Sequence, residues 1–161
     1  MKRRVAVTGI GLVTPVGVGN DVTWQAVCEG RSGVHRITKF DPTEHKTQIA
    51  AEINGFDPEL YMNAKEARKT DTFIQYAVTA AKFALEDSGL EITEELSPRM
   101  GTIIGSGIGG METYVNTVLM MNEKGPGRLS PFFITNIINN MAAGYVSLYF
   151  NAKGPTCCTP P

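Results

Sequence analysis

Hydrophobic positions along the chain form short β-type runs and helix-type stripes. Arg4–Thr8 is nearly continuously apolar, which predicts a strand covered on both faces, and Thr102–Ile104 predicts a second buried strand. Thr72–Ser88 sets a polar stripe against alanine-rich faces, which predicts a helix that begins with a capping box of Thr72 and Gln75. The alternation of these patterns indicates an α/β protein.

Three further segments extend this pattern. Asn20 or Asp21 can cap a short helix that runs through Cys28, and its spacing predicts that Cys28 is a small buried hydrophobe. Asn136–Phe150 is apolar enough to predict one long helix that is buried or lies at an interface. Residues 31–63 predict irregular structure with a short surface strand, and Thr156 starts a further strand.

The glycine-rich stretch that follows Thr102–Ile104 offers the first candidate site. Gly105, Gly107, Gly109 and Gly110 surround one bulky side chain, Ile108. A tight bend, a substrate-pocket loop walled by Ile108, and a dinucleotide loop all remain possible for such a pattern. The dinucleotide reading requires an acidic residue after a second strand about 20 positions on, where this chain has a Gly-Pro-Gly-Arg turn instead.

Composition narrows the class of protein. The chain has 42% hydrophobic residues and a net charge of -1, which indicates a globular protein whose surface as a whole does not bind nucleic acid. No apolar run reaches the roughly 18 residues of a membrane span. The chain has three cysteines without zinc-type spacing and two histidines in a predicted loop. This pattern favours a cytoplasmic protein without metal or cofactor.

A cluster of basic residues precedes the clearest helix. Lys65, Arg68 and Lys69 share one face if the segment is helical. A solvated surface helix and a docking site for an acidic partner are both compatible with this cluster.

Taken together, several motifs resemble the N-terminal half of a β-ketoacyl-acyl carrier protein synthase of the elongating type II class. They are Arg3-Arg-Val-Ala-Val-Thr-Gly-Ile-Gly11, Thr14-Pro-Val-Gly17, Gly30-Arg-Ser-Gly33, Ala67-Arg-Lys-Thr-Asp-Thr-Phe-Ile-Gln75, Gly105-Ser-Gly-Ile-Gly-Gly110, Ser130-Pro-Phe-Phe133, Asn140-Met-Ala-Ala-Gly144 and Gly154-Pro155. They occur in the order of that family and extend to about Pro155, so residues 1–161 are expected to form its N-terminal domain.

The resemblance implies a thiolase-like α/β fold, in which this chain is the N-terminal αβα half of a layered αβαβα subunit that is incomplete here. It implies a homodimer that meets through residues 133–159. It also implies elongation of acyl chains by decarboxylative Claisen condensation with malonyl-carrier protein, in fatty acid biosynthesis. The implied partners are acyl carrier protein and acyl and malonyl thioesters, without cofactor, nucleic acid or membrane span.

The resemblance also assigns roles to particular residues. Gly107, Ile108 and Phe133 match substrate-binding positions, with Ile108 limiting the acyl tunnel and Phe133 reaching across the dimer interface. The carrier protein docks in the family on basic positions that Lys65, Arg68, Lys69 and Arg128 match.

The catalytic residues of the family have no match in this chain. The resemblance places the nucleophilic cysteine beyond Pro161, so Cys157 and Cys158 come too early and should lie on the strand that leads to it. We therefore expect this chain alone to be inactive, with no catalytic residue among its cysteines and histidines. A non-catalytic, chain-length-determining relative and a dinucleotide-binding module remain as alternatives.

Overall fold

The computed structural model describes residues 3–159. The strands are β1 (Val13–Thr14), β2 (Gly17–Val18), β3 (His35–Arg36), β4 (Ile49–Ala50), β5 (Thr102–Gly105) and β6 (Thr156–Thr159). The helices are α1 (Asn20–Cys28), α2 (Ala64–Ala67), α3 (Thr72–Ser88), α4 (Met111–Lys124), α5 (Phe133–Ile137) and α6 (Met141–Tyr149). Single 3-10 turns cover Pro58–Leu60, Ser97–Arg99 and Pro126–Arg128.

The centre of the fold is a parallel pair of strands, β5 and β6, with helix α6 packed against them and helix α3 packed against α6. The register pairs Ile103 with Cys157 and Ile104 with Cys158. Ile104 packs against the buried core, whose members are Met62, Ala67, Ile74, Val78 and Val146. Ile103, on the opposite face, is 75% exposed. The prediction of a strand at Thr102–Ile104 is confirmed, but only one of its faces is buried in this chain.

Helix α3 has the bounds that the sequence predicts, but a different cap. The Asp71 side chain, and not a Thr72–Gln75 box, accepts the Phe73 N–H at 3.3 Å. Gln75 instead donates to the carbonyls of Ala67 and Thr70, at 2.9 Å each. The helix ends at Gly89, whose φ of 64° lies in the left-handed region that glycine tolerates best.

Helix α1 also has its predicted extent, while two predictions about its side chains are wrong. Asn20 does not cap the helix, because its amide folds back to the Leu12 N–H and the Ile10 carbonyl, and the N-cap position is Gly19. Cys28 is exposed and not buried, because the helix buries the face that carries Thr23 and Ala26.

The apolar run Arg4–Thr8 does not form the predicted strand. A strand requires a hydrogen-bonded neighbour, and among the described residues none pairs with this run. Val5 and Val7 are therefore 92% and 83% exposed. Directly after the run the chain passes close to α3, where the Ile10 N–H donates to the Asp87 carboxylate at 2.9 Å.

The predicted long helix over Asn136–Phe150 is interrupted and becomes α5 and α6. Ile138 between them is extended, with φ −80° and ψ 135°. The Asn139 amide donates to the Ser106 carbonyl at 3.0 Å, which ties the break to the glycine-rich loop. In residues 31–63 the predicted surface strand is β4, which pairs with β3 as an antiparallel hairpin and places His35 on a strand.

Candidate substrate and partner site

The glycine-rich loop runs from the end of β5 into α4, and two of its glycines are needed for backbone packing. A Cβ on Gly110 would lie 1.9 Å from the Asn136 carbonyl oxygen. A Cβ on Gly109 would lie 2.4 Å from the Ile137 carbonyl oxygen, and Gly109 has a φ of 74°. The loop and the C-terminal end of α5 are therefore in direct backbone contact, which no other residue type allows.

The other part of this loop faces solvent and borders a groove. Nothing lies within 4 Å of a Cβ built on Gly107, and Ile108 is 65% exposed. The groove has a volume of about 220 Å³, and it is lined by Ile108, Gly110, Met111, Tyr114 and Ile137. We refer to it as the apolar groove.

Phe133 reaches the same region through Tyr114. The two rings are stacked, with centroids 6.3 Å apart and an interplanar angle of 26°. The structure thus brings two of the predicted substrate-binding residues close to Tyr114: Ile108 lines the same groove, and Phe133 stacks on its ring. Sequence reasoning missed Tyr114, although Met111 and Tyr114 are spaced to share one face of the helix that follows the loop.

Sequence reasoning also missed Asp71, whose side chain joins the start of α3 to the start of α4 beside the groove. Its side chain is 8% exposed. One carboxylate oxygen accepts the Thr113 N–H at 3.2 Å and the Thr113 hydroxyl at 2.5 Å, and the other accepts the Phe73 N–H. A single carboxylate therefore satisfies orphan donors at the starts of both α3 and α4.

The same carboxylate argues against the dinucleotide alternative. A dinucleotide loop places the ligand's phosphates at a free helix N-terminus, whereas the start of α4 already holds the Asp71 side chain. The first glycine-containing motif, Gly9-Ile-Gly11, has no room for a phosphate either, because a Cβ on Gly11 would lie 1.8 Å from the Ala80 carbonyl oxygen of α3.

The predicted docking residues Lys65, Arg68, Lys69 and Arg128 are all exposed. Helix α2 is a single turn, so Lys65 is helical while Arg68 caps the turn and Lys69 follows it. Arg68 pairs with Glu59 at 3.3 Å, and both side chains are largely exposed. The Lys69 ammonium lies 5.0 Å from the centroid of the Phe132 ring. Arg128 belongs to a separate element, the 3-10 turn after α4.

The structure places two cysteines on the last strand and one histidine on a hairpin strand, and not in the predicted loop. Cys157 and Cys158 lie on β6, where the Cys157 thiol contacts the Cys158 carbonyl at 3.7 Å. His35 belongs to the β3–β4 hairpin, and His45 stacks edge-on against Phe40 with centroids 5.4 Å apart. Within residues 3–159, no group of three or more potential ligands is arranged to hold a metal ion.

One titratable group near the loop is perturbed. Burial raises the pKa of the Tyr76 hydroxyl above its usual value, and the nearby Glu112 carboxylate raises it further. Tyr76 lines a second groove of about 350 Å³ together with Gly105 and Ser106, which start the glycine-rich loop. Its phenol is therefore protonated at neutral pH and can act there only as a neutral donor or acceptor.

Comparison with known proteins defines the class to which this fold and loop belong. Two solved ketosynthase structures superpose over 99% of this chain: the ishigamide ketosynthase/chain length factor, with a TM-score of 0.85 at 24% identity, and a β-ketoacyl synthase from Burkholderia phymatum, with a TM-score of 0.78 at 29% identity. The fold is therefore that of the N-terminal part of a thiolase-like ketosynthase. The family described as Beta-ketoacyl synthase, N-terminal domain, matches residues 2–159, and the chain belongs to this family.

Curated relatives point to one kind of synthase. The chain is 49% identical to 3-oxoacyl-[acyl-carrier-protein] synthase 2 of Coxiella burnetii and 47% identical to that of Vibrio cholerae, over 98% of its own length. It is 41% identical to the enzyme of the same name from Staphylococcus aureus. The chain spans 39%, 39% and 38% of these three relatives. In the described residues, no helix is both long enough and apolar enough to cross a membrane.

Proposed function

We propose that this chain is the N-terminal domain of a 3-oxoacyl-acyl carrier protein synthase. The reaction joins an acyl thioester to a malonyl thioester, releases carbon dioxide and a thiol, and yields a 3-oxoacyl thioester longer by two carbons. The observation that carries the proposal is the family match over residues 2–159, together with relatives of this name at 41–49% identity. These relatives are named synthases, which favours a catalytic protein over a non-catalytic chain-length partner.

Within this reaction, the apolar groove is proposed to hold the acyl chain. Ile108, Tyr114 and Ile137 offer apolar surface without a charged group in the groove lining, and burial of each methylene of an acyl chain contributes about 0.8 kcal/mol. The exposed Gly107 leaves room for the chain to pass over the loop backbone. Phe133 supports one wall through its stack on Tyr114.

The basic segment, residues 65–69, is proposed to dock the acyl carrier protein, with Arg128 as a further contact. The exposed cationic side chains support this role, because clustered surface charge steers an acidic partner even when the net charge is close to zero. One structural neighbour, at a TM-score of 0.74 and 25% identity, is a type II acyl carrier protein in complex with its ketosynthase bound to the hexaketide.

A homodimer in the cytoplasm completes the proposal. Ile134, Ile138 and Leu148 are exposed in the described chain at 58%, 38% and 77%, within the region 133–159 that is proposed to meet the second subunit. Exposed apolar side chains that cluster in one region are typical of an interaction surface.

The experiment is a condensation assay with acyl- and malonyl-carrier protein. The complete synthase should release one carbon dioxide for each product longer by two carbons. This chain alone should give neither product above a no-enzyme control, because in residues 3–159 no hydrogen bond joins a cysteine thiol to a histidine that could activate it. Activity of the chain alone, or no condensation by the complete protein, would contradict the proposal.

A further inference from the structure

Two polar contacts, one from the basic segment and one from Asp71 just after it, reach residues that adjoin the lining of the apolar groove. The first involves Asn136, whose amide donates to the Lys69 carbonyl at 2.8 Å. Asn136 lies on α5, directly before the groove residue Ile137 and three residues after Phe133. The backbone of the docking segment is thus bonded to one wall of the groove.

The second contact is the carboxylate of Asp71, two residues after Lys69. It accepts both the backbone N–H and the hydroxyl of Thr113. Thr113 immediately precedes Tyr114, which lines the groove from helix α4, whereas Ile137 lines it from α5. A hydrogen bond to a buried carboxylate is stronger than one between neutral groups, so this connection is stiff.

Gly110 fills the space between these two contacts. A Cβ built on it would lie 1.9 Å from the Asn136 carbonyl oxygen and 3.0 Å from an Asp71 carboxylate oxygen. Gly110 is buried. Gly110, in the glycine-rich loop, therefore contacts both α5 and Asp71, the residue two positions after the basic segment. A close-packed interior of this kind transmits displacement.

We propose that Asp71 and Asn136 are positioning residues that couple the docking segment to the apolar groove. Movement of the Lys69 backbone when a carrier protein binds reaches Ile137 through Asn136 and Tyr114 through Asp71 and Thr113. Docking thereby sets the separation of the groove walls, and so the preference for acyl chain length. The inference rests on the proposed function, because it assigns the groove to the acyl chain and the segment to the carrier.

The test is a double-mutant cycle in the complete synthase, with long and short acyl primers attached to the carrier. Thr113→Val removes the hydroxyl that bonds Asp71, and Thr113→Ser keeps it. Lys65→Glu weakens docking at a side chain that takes part in neither of the two contacts, Asn136 with Lys69 or Asp71 with Thr113. We expect Thr113→Val to change the long-to-short ratio of kcat/KM about three- to tenfold, and Thr113→Ser to keep it within about twofold.

The coupling itself is read from the combination of variants. Lys65→Glu should shift the long-to-short ratio in the wild-type background and leave it unchanged with Thr113→Val. Independent sites combine within about twofold, so a departure above threefold supports coupling. Additive effects, or equal behaviour of Thr113→Val and Thr113→Ser, would overturn the inference.

Two further measurements keep the outcome clear. If Thr113→Val does not fold, Asn136→Leu removes the bond to the Lys69 carbonyl from the other wall and must show the same loss of coupling. Failure of the proposed function would be seen separately, as a wild-type synthase that neither binds the carrier nor condenses. A wild-type enzyme that does both but shows additive variants would refute only the coupling.

Discussion

Substitution of Gly110 by alanine tests whether the glycine-rich loop is fixed by backbone contact. The added Cβ would lie 1.9 Å from the Asn136 carbonyl oxygen, whereas ordinary contacts are 3.4–4 Å. The φ of Gly110 is −82°, outside the left-handed region that favours glycine. The expected effect is therefore mainly steric, and overpacking of this kind costs about 1–3 kcal/mol. In a protein of this size each kcal/mol lowers Tm by roughly 2–4 °C.

Gly107 provides a matched control in the same loop. A Cβ there meets nothing within 4 Å, and its φ lies outside the left-handed region. Gly107→Ala should change the free energy of unfolding by no more than about 0.5 kcal/mol. Urea denaturation of this chain, followed by circular dichroism, compares the two variants. Equal stabilities for Gly110→Ala and Gly107→Ala would refute the contact between the loop and α5.

Two further predictions concern the groove and pH. Ile108→Phe in the complete synthase should block long acyl primers and spare short ones, with little change in stability because Ile108 is 65% exposed. The measurement is kcat/KM for acyl primers of different lengths. A loss of kcat/KM that is the same at every length would refute the role of Ile108 in the pocket. Burial and Glu112 raise the pKa of Tyr76 in the folded protein. Tyr76 therefore contributes stability that is fully present below the ordinary tyrosine pKa near 10, and this stability is lost as pH rises through the pKa of Tyr76 in the folded state. Tyr76→Phe should therefore reduce the loss of stability in alkaline urea titrations, and an unchanged loss would contradict this assignment.

The elements that the sequence predicts correctly are those specified by local pattern. Helix α3 has strong periodicity and a terminal glycine, and both of its bounds agree with the prediction. The strand at Thr102–Ile104 and the strand that starts at Thr156 are also correct, and they pair with each other. In each case the residues within the element are sufficient to specify it.

The errors concern residues whose partners are distant in sequence. The long apolar helix is broken where Asn139 bonds the Ser106 carbonyl, 33 positions away. Arg4–Thr8 has the composition of a strand, but pairing depends on a neighbour that a pattern cannot show. Cys28 fits a buried position by spacing, yet the buried face of α1 is the other one.

The candidate site was predicted in part for the same reason. The glycine-rich loop and Ile108 stand out in the sequence because four glycines surround one branched residue. Tyr114 and Asp71 do not, because an aromatic residue on a helix and a capping aspartate are common features. Only the fold shows that Asp71 bonds Thr113, 42 positions later.

The central claim is that this chain supplies the carrier-docking surface and the acyl groove of a synthase, and charge reversal tests it most directly. In the complete synthase, Arg68→Glu with Lys69→Glu should raise the KM for carrier-bound substrate roughly three- to thirtyfold at low salt, because exposed charge contacts contribute about 0.2–1 kcal/mol each and reversal adds repulsion. Salt should reduce the effect.

The matched control reverses two exposed lysines elsewhere, Lys46 and Lys153, for the same change in net charge. The measurement is KM for carrier-bound substrate against KM for the same acyl group on a carrier-free thioester. We expect KM to rise only for carrier-bound substrate, and only in the variant of the basic segment. An equal rise for both kinds of substrate, or in both variants, would contradict it.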